Sequence, residues 1–407
     1  MRGWKRHHTV WLVMIFGWIS IYMIRMALSS ALVSIKQEFN LSYAEAGLLI
    51  TAYFYTYLPA QFPSGWIGDK LGRKLVLSLS SMLWGMLSIF TAFANNFHQL
   101  LVARMATGVV QGLYFGNDRP IVAAYAPKGS AGISQGISFI GIGLGTVLGI
   151  YLGGLITSLM GWRWVFILFA IPSFIVSIIM FALLKNTPSN GNSDLKSFLE
   201  LLKNKNFLLM CLAGIPCIYA FWVLATWAPT IFIEMGIGDV MVSSLLASII
   251  GIAAVPSLIS MGYLSDTLKL KGIGRKLIVV LDITLMSVFL FLFGYALSTN
   301  LSLVSLIAFY TVISLLYWGF VAPLYALLQE IIPSRLHGTA FGLMNGIHFT
   351  GSLISPWLTG LLRDLTGNFV WSIYIPAVML IFSSFAIALI SPAFYFREKD
   401  GKALAHR

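Results

Sequence analysis

Three arginines, Arg25, Arg104 and Arg119, lie inside long apolar stretches of the sequence. A charged side chain at the centre of a bilayer costs on the order of 3 kcal/mol on insertion scales, so each of them needs a physical role. Arg25 precedes Lys36 by eleven residues, or about 16 Å of helix, which predicts a position near the membrane centre. The nearby apolar stretches offer no carboxylate at a similar depth. We therefore expect Arg25 to bind an anion, because a guanidinium holds carboxylate or phosphate through two parallel hydrogen bonds; the alternative is an interhelical salt bridge.

The fourth apolar stretch places all its charged residues on one face of the predicted helix. At 100° per residue, six side chains fall in a stripe about 100° wide. They are Arg104, Gly108, Gln111, Phe115, Asp118 and Arg119. Arg119 is either a second anion contact or a structural partner of Asp118. Asp118 is by elimination the candidate for proton coupling, and Gln111 is a candidate substrate contact.

Two further polar faces are predicted to line a substrate path. Tyr57 and Gln61 follow Tyr53 at helical spacing in the second stretch, and Asn345 and His348 lie one turn apart in the eleventh. For the tyrosines, packing or a place in an interfacial belt is the alternative. His348 is a candidate for both substrate binding and proton coupling, since imidazole titrates near neutral pH. A hydrogen bond from His348 to a neighbouring helix is the competing interpretation.

Oppositely charged residues recur at the helix ends on one side of the membrane. They are Asp69, Arg73, Asp266, Arg275, Glu330 and Arg335. Their repetition in both halves of the chain predicts inter-helix latches that close this side in one state and break in another. Simple solvated loop charge is the alternative. Asp282 in the ninth stretch is close to the same layer.

The composition supports a membrane protein. Of 407 residues 58% are hydrophobic and only 10% are charged, with mean hydropathy +0.87, whereas a soluble surface needs roughly 25–35% charged residues. This excludes a cytosolic enzyme, a disulfide-built secreted module and a disordered protein. The two cysteines, Cys211 and Cys217, have no metal-binding spacing, so we expect neither a metal nor a cofactor.

Apolar stretches of about 20 residues, enough to cross a bilayer, occur twelve times. They lie near residues 9–34, 44–64, 75–94, 98–125, 133–158, 164–184, 207–233, 240–262, 277–297, 302–331, 338–362 and 370–394. Each is predicted to be a helix, because lipid leaves backbone N–H and C=O groups no other partner. The fold class is therefore an all-α integral membrane protein with twelve transmembrane helices. The glycines from Gly141 to Gly153 predict close helix packing, not a nucleotide loop.

The distribution of basic residues predicts the orientation. With a cytoplasmic N-terminus, 20 of the 26 Lys and Arg residues fall on the cytoplasmic side. The net charge of +12 is thereby explained by topology, and no nucleic-acid partner is expected. Both termini are predicted to be cytoplasmic, in a multi-pass protein of the cell inner membrane.

The chain repeats itself. Gly65–Lys74 after the second stretch resembles Gly262–Asp266 and Gly274–Lys276 after the eighth. This predicts two parallel repeats with a substrate site between them near the midplane. The predicted units are an N-terminal six-helix bundle (1–184), a cytoplasmic linker (185–206), a C-terminal six-helix bundle (207–394) and a cytoplasmic tail (395–407).

These motifs resemble the major facilitator superfamily over essentially the whole chain. The segment Gly65–Lys74 is similar to that family's loop between helices two and three, and Arg104–Gly112 resembles its fourth-helix motif. By this resemblance Arg104 is expected to be a packing and gating arginine.

Within the superfamily, two segments resemble the anion:cation symporters. One runs from Arg25 to Gly65, and the other from Gly338 to Asp364. Tyr22-xx-Arg25 and the Gln111–Arg119 segment also resemble the organophosphate antiporters. The chain departs from the symporters at Ile24 and Gln111, where they usually carry acidic residues, and from the antiporters in lacking a seventh-helix arginine.

The resemblance and the buried arginines together predict a secondary active transporter. Its expected substrate is a small organic anion, such as a sugar acid, another carboxylate or a phosphate ester, moved by alternating access with protons. Anion exchange and efflux are the alternatives, and a non-transporting membrane sensor is a further one. The sequence has no catalytic constellation. The expected partners are the substrate, protons or a counter-anion, and the bilayer, with the protein acting as a monomer.

Overall fold

The computed structural model describes residues 4–127, 131–185, 195–236, 238–299, 301–333 and 336–391, and within these ranges every regular element is helical. The prediction of an all-α fold is thereby confirmed. Arg335, one of the expected latch residues, lies outside the described residues.

The helices follow the predicted stretches closely. The first seven and the long helix after them are α1 (Arg6–Glu38), α2 (Tyr43–Leu71), α3 (Arg73–Ala92), α4 (Phe97–Tyr125), α5 (Ala131–Met160), α6 (Trp162–Leu183), the short α7 (Leu195–Leu202) and α8 (Lys205–Glu234). The remaining ones are α9 (Val240–Ala247), α10 (Ile249–Ile252), α11 (Ala254–Leu270), α12 (Arg275–Ser298), α13 (Leu303–Gly319), α14 (Val321–Ile331), α15 (His337–His348), α16 (Ser355–Thr366) and α17 (Val370–Ala388). A 3-10 turn at Phe349–Leu353 joins α15 to α16.

Three predicted helices are segmented, and the last break in each of them is followed within three residues by a proline. Pro256, Pro323 and Pro356 lie in the first turn of α11, α14 and α16. Proline lacks an N–H, and its ring clashes with the carbonyl four residues earlier, so each of these prolines weakens the helix at the break. Other helices, among them α2, α4 and α6, continue past interior prolines. The break at Ser248, between α9 and α10, has no proline just after it, and there the Ser248 hydroxyl donates to the Leu245 carbonyl at 2.6 Å. The eighth, tenth and eleventh stretches therefore cross in pieces.

Nine spans in the described ranges are long and apolar enough, by length and composition alone, to cross a membrane. The three predicted spans outside this set are α2, α4 and the α15–α16 pair. These are also the helices on which the sequence places most of the candidate polar residues. These helices are less apolar because they contain the polar side chains that we expect to face a substrate path.

Chain direction gives the molecule two distinct ends. At the linker end α1 begins, α6 ends and α8 begins, and Arg6 donates to the Leu183 carbonyl at 2.5 Å. At the same end Asn206 donates to the Ser391 carbonyl at 3.1 Å. The opposite end, where α2 begins and α16 ends, is called the far end below.

Close helix pairs organise the chain. α1 packs along α5, α2 along α4 and α3 along α6, while α17 packs on both α8 and α12. The most extensive contacts between the first six helices and the later ones are those of α2 with α16 and of α5 with α9, and α1 also packs on α8 and α5 on α10. The boundaries of the two bundles, the linker and the tail stay predictions.

The glycines of α5 allow α1 to approach closely, which confirms the packing prediction. A methyl group on Gly141 would lie 2.3 Å from the Ile15 carbonyl oxygen of α1, and one on Gly145 would lie 2.7 Å from that of Ile19. Backbone atoms at such distances cannot be displaced without moving the helix. α1, which carries Arg25, is therefore held tightly against α5.

Gly141→Ala is expected to destabilise the protein by about 1–3 kcal/mol, the usual cost of overpacking, because α1 must move away from α5. Gly136→Ala, five residues away on the same helix, is the control, since a methyl group there meets no atom within 4 Å. Thermal unfolding of the two purified variants in detergent measures the difference. Equal unfolding temperatures would contradict the packing argument.

Candidate anion-binding site

The Arg25 side chain lies at the meeting point of three helices. It is only 2% exposed, and its Nη2 donates to the Tyr53 hydroxyl of α2 at 2.5 Å. The Gln111 Oε1 of α4 lies 3.4 Å from the same nitrogen and accepts from the Tyr53 hydroxyl at 2.7 Å. Arg25, Tyr53 and Gln111 thus form one buried hydrogen-bonded triangle.

Small residues on α4 bring α2 close enough to form this triangle. A methyl group on Gly108 would lie 2.2 Å from the Tyr53 carbonyl oxygen, and one on Gly112 would lie 2.6 Å from that of Tyr57. Tyr53 and Tyr57 are one turn apart, so both rings point to the same side of α2. Their rings stack with centroids 5.3 Å apart.

Aromatic rings surround the guanidinium without neutralising it. Its Cζ lies 4.7 Å from the Tyr22 ring centroid, 4.9 Å from that of Tyr53 and 4.8 Å from that of Tyr57. Ring faces attract a cation but carry no net charge. Nε and Nη1 of Arg25 have no hydrogen-bond partner in the described part of the chain, and no carboxylate there forms an ion pair with it. The site therefore has a buried positive charge and two free donors for an anion.

Arg104 lies beside this cluster. It is 1% exposed, and its Cζ is 5.2 Å from the Tyr53 ring centroid. Its Nε and Nη2 have no partner among the described residues. Tyr53 consequently lies in contact with two guanidiniums. Arg104, the expected gating arginine, is therefore a neighbour of Arg25, the residue expected to bind the anion.

Asp118 and Arg119 form a pair of their own. Asp118 is fully buried, is ion-paired with Arg119 and accepts from the Trp18 indole Nε1 at 2.8 Å. The Arg119 Cζ lies 4.1 Å from the Phe139 ring centroid. Asp118 follows Gln111 by seven residues, about 10 Å along α4 towards the linker end. This geometry matches the structural-pair interpretation, and the roles in anion binding and proton coupling stay predictions.

The candidates on the eleventh stretch face a different helix. His348 is 6% exposed, and its Nε2 lies 3.1 Å from the Met210 carbonyl oxygen of α8. Gly214 makes room for the ring, since a methyl group there would lie 2.1 Å from His348 Nε2. This is the interhelical hydrogen bond that the sequence left open. Asn345 and Gln61 are half-buried, and the Gln61 side-chain nitrogen has no partner in the described ranges.

The charged residues at the linker end join neighbouring helices, either among the first six helices or among the later ones. Arg73 pairs with Asp69 at 2.5 Å and donates to the Gly116 carbonyl of α4 at 2.8 Å. In the later helices Arg275 pairs with both Asp266 and Glu330. Their function as latches stays a prediction.

Polar contacts between the first six helices and the later ones cluster instead at the far end, and farther along α2 the Trp357 backbone N–H donates to the Thr51 hydroxyl at 3.2 Å. The Tyr43 hydroxyl donates to Glu234 of α8 at 2.7 Å, and Arg363 donates to the same carboxylate at 3.0 Å. Asp364 of α16 accepts from the backbone N–H groups of Tyr43 and Ala44 at 3.0 and 2.8 Å. A carboxylate is well placed there, because the first N–H groups of a helix have no internal partner and carry partial positive charge.

This far-end contact, made by Tyr43, Glu234, Arg363 and Asp364, was missed in the sequence, although opposite charges at two helix ends could have indicated it. Glycine again permits the approach, since a methyl group on Gly360 would lie 2.0 Å from the Tyr43 carbonyl oxygen. A cavity of about 70 Å³ remains beside it, lined in part by Val33, Lys36 and Thr230. That space suits a few waters rather than an organic acid, so the far end is closed.

The site contains no metal constellation: no group of three or more His, Cys, Asp and Glu side chains comes together in the described ranges. Tyr22, which contacts the Arg25 guanidinium, was indicated in the sequence only by the resemblance to the organophosphate antiporters. Tyr325 of α14 was missed entirely, and it lies within electrostatic range of Arg119 and Tyr22.

The chain is similar to a known family and to several known proteins. A model of the Major Facilitator Superfamily matches residues 14–356. The chain is 24% identical to a hexuronate transporter of Bacillus subtilis, covering 90% of each chain, and 24% identical to a D-galactonate transporter of Escherichia coli, covering 93% of this chain and 94% of the relative. It is 26% identical to a probable sulfoacetate transporter of Cupriavidus necator, covering 98% and 97%.

Solved structures share the fold. A bacterial homologue of the human lysosomal transporter Spinster, in an inward-facing and occupied conformation, superposes with a TM-score of 0.79 at 17% identity, covering 95% of this chain and 97% of the other. A D-xylose–proton symporter superposes with a TM-score of 0.77 at 16% identity, covering 95% and 98%.

Asp364→Asn is expected to loosen the far end, because it removes the charge that faces the start of α2. A cysteine introduced at Val33, in the small cavity, should then react several-fold faster with a membrane-impermeant maleimide. The control is Asp239→Asn, which changes a carboxylate that caps α9 within its own helix. Equal labelling rates in both variants would show that Asp364 does not hold this end closed.

Proposed function

The chain belongs to the Major Facilitator Superfamily, and from that membership we propose that it carries a small organic anion across the membrane by alternating access. The family and the relatives are transporters, so the chain is a multi-pass transporter and not an enzyme. The proposed site is the Arg25 cluster, with Tyr53, Tyr57 and Gln111 as its other members and Arg104 beside it. Gln61, Asn345, His348 and Arg119 remain proposed contacts in other states.

The observation that carries this proposal is the uncompensated charge of Arg25. A guanidinium stays protonated in proteins, so burial cannot be relieved by loss of its proton. Rings and neutral acceptors reduce the cost of burying it, but no carboxylate balances it in the described ranges. An anionic substrate supplies the missing charge and accepts from the two free nitrogens.

The relatives support an acid as the substrate. Their names specify hexuronate, galactonate and sulfoacetate, which are all small organic anions. The substrate class follows from this common chemistry together with the guanidinium. A sugar acid is the first candidate, and other carboxylates and phosphate esters follow.

We propose proton symport as the mode of coupling, with Asp118 and His348 as the candidate proton sites. Exchange of one anion for another is the second candidate, and one observation favours it. Gln111 presents a neutral amide to Arg25, and the residue before Arg25 is the apolar Ile24. No acidic side chain among the described residues of this cluster therefore replaces the anion's charge after the anion leaves. Bringing a second anion into the site before the return step avoids an empty, positively charged site.

The orientation and assembly are also part of the proposal. We propose that the protein lies in the cell inner membrane with both termini in the cytoplasm. The linker end then faces the cytoplasm, and the far end faces outwards. The linker-end residues Asp69, Arg73, Asp266, Arg275 and Glu330 would then hold helices in place as that side opens. A single chain contains the whole proposed site, which is consistent with a monomer.

Arg25→Ala is expected to reduce saturable uptake of labelled D-galactonate into proteoliposomes by roughly tenfold to a hundredfold, the loss expected for charge-assisted hydrogen bonds. Arg25→Lys should be intermediate, because it keeps the charge and loses the forked geometry. Arg163→Ala is the control, since that guanidinium forms a half-exposed ion pair with Glu38 at the far end. Full activity of Arg25→Ala, or preference for neutral sugars over acids, contradicts the proposal.

The coupling mode is tested in the same vesicles by comparing an inward proton gradient with preloaded unlabelled acid. Symport predicts several-fold stimulation by the gradient. Asp118→Asn or His348→Gln should abolish that stimulation and keep exchange between the two sides, if the residue carries the proton. Indifference to the gradient together with strong stimulation by preloaded acid would replace symport with exchange.

A further inference from the structure

One buried carboxylate, that of Asp282 on α12, lies outside the proposed anion site. It is 4% exposed, and its Oδ2 has no hydrogen-bond partner in the described part of the chain. No Lys, Arg or His in those ranges forms an ion pair with it. Asp282 follows Arg275, the first residue of α12, by seven residues or about 10 Å, so it lies inside an apolar span. The charge of an ionised Asp282 would therefore be left unbalanced.

The Asp282 carboxyl packs against the break between α13 and α14. A methyl group on Gly319, the last residue of α13, would lie 2.9 Å from Asp282 Oδ1. The Met261 side chain of α11 covers the same point, since its Cγ would lie 3.2 Å from that methyl group. In a continuous helix the Gly319 carbonyl would accept from residue 323, but Pro323 has no N–H. The carboxyl thus lies where a helical hydrogen bond is missing.

The titratable groups around Asp282 bring no cation to it. The Cys217 thiol of α8 lies within electrostatic range of Asp282 and carries no positive charge. Arg275 is paired with Asp266 and Glu330 at the linker end, where Lys269 also pairs with Glu330. The titratable residues of the helices packed on α12 are Tyr263, Asp266 and Lys269 of α11, Tyr310 and Tyr317 of α13, Tyr325 and Glu330 of α14, and Tyr374 of α17.

Burial without a partner favours the neutral form of this carboxyl. An ionised carboxylate is strongly disfavoured in a medium of low dielectric constant unless a positive charge or several hydrogen bonds stabilise it. Binding a proton removes the charge and provides an O–H donor. The neighbouring Gly319 carbonyl, which lacks its helical donor, is an acceptor for that O–H.

We infer that Asp282 is a proton-binding site that controls the break between α13 and α14. With the proton bound, the break stays packed against α11 and α12. When the carboxyl gives its proton to water, the bare charge must be hydrated, and the helix opens at the break because a backbone hydrogen bond is already missing there. This site goes beyond the proposed function, since it needs no transported anion and is separate from Asp118 and His348.

The pH dependence of thermal unfolding tests the proton. The unfolded chain releases the Asp282 proton above about pH 4, whereas the folded protein keeps it, so the wild type loses stability as the pH rises. Asp282→Asn has no proton to lose, so its unfolding temperature in detergent should fall less between about pH 5.5 and about pH 8. Asp239→Asn, which changes an exposed carboxylate that caps α9, is the control and should follow the wild type.

A disulfide across the break measures its opening. A Cβ on Gly262 of α11 would lie 3.6 Å from the Ala322 Cβ of α14, a separation that a disulfide spans. Gly262→Cys and Ala322→Cys are combined in a chain whose Cys211 and Cys217 are replaced by alanine, and the linking rate under a mild oxidant is measured with and without Asp282→Asn. Comparing the two chains at each pH cancels the ordinary pH dependence of the thiols. The chain that keeps Asp282 should link as fast as the Asn variant at about pH 5.5 and several-fold more slowly at about pH 8.

The outcomes are distinct. Parallel pH curves for the wild type and Asp282→Asn, with equal linking rates, overturn the inference, as does an equal shift in Asp239→Asn. A difference that depends on Na⁺ when choline replaces it at fixed pH also overturns it, because the carboxylate then holds a metal cation. Asp282→Ser, which also removes the charge, serves if the Asn variant does not fold. Full activity of Arg25→Ala would leave these results unaffected, so the two proposals fail separately.

Discussion

The structure depends on one constraint, the buried guanidinium of Arg25, which stays positively charged because it does not lose its proton in proteins. Arg25 is placed inside the membrane region with no carboxylate beside it, so its surroundings must hold it by other means. Three tyrosine rings and one glutamine amide do this, and each comes from a position fixed by close helix packing. Gly108 and Gly112 admit α2, and Gly141 and Gly145 fix α1. The glycines therefore shape the proposed binding site as much as the residues that touch the guanidinium.

The sequence was sufficient for the number and class of helices, because apolar length and the need to satisfy backbone groups leave few alternatives. It also singled out Arg25, since a lone charge in an apolar run has high energetic cost. The sequence did not indicate which neighbour Arg25 contacts. Tyr53 and Tyr57 are both spaced correctly for the site, yet only Tyr53 donates to Gln111, and that depends on the rotation of α2 against α4.

Partners between distant segments were the hardest part to predict. His348 was a candidate for substrate contact because it shares a helix face with Asn345, but its ring bonds to an α8 carbonyl in a space left by Gly214. The far-end contact depends on the ends of α2, α8 and α16 meeting, and periodicity within one segment contains no information on that. The unpaired polar groups of α8 were hidden for another reason. Trp222, Thr226 and Thr230 look like ordinary membrane-helix composition, and only the lack of hydrogen-bond partners in the described ranges distinguishes them.

The breaks that precede Pro256, Pro323 and Pro356 give three of the membrane crossings a joint. α1, by contrast, is one continuous helix of 33 residues with no interior proline, so a displacement at one of its ends is transmitted to the other. The crossings built from α9–α11, α13–α14 and α15–α16 have joints, at which the hydrogen-bond ladder is already interrupted. Bending at a joint costs little, so strain at the far end of α16 is absorbed near the 3-10 turn instead of being transmitted along α15. The three jointed crossings can therefore deform while α1 keeps the guanidinium in place.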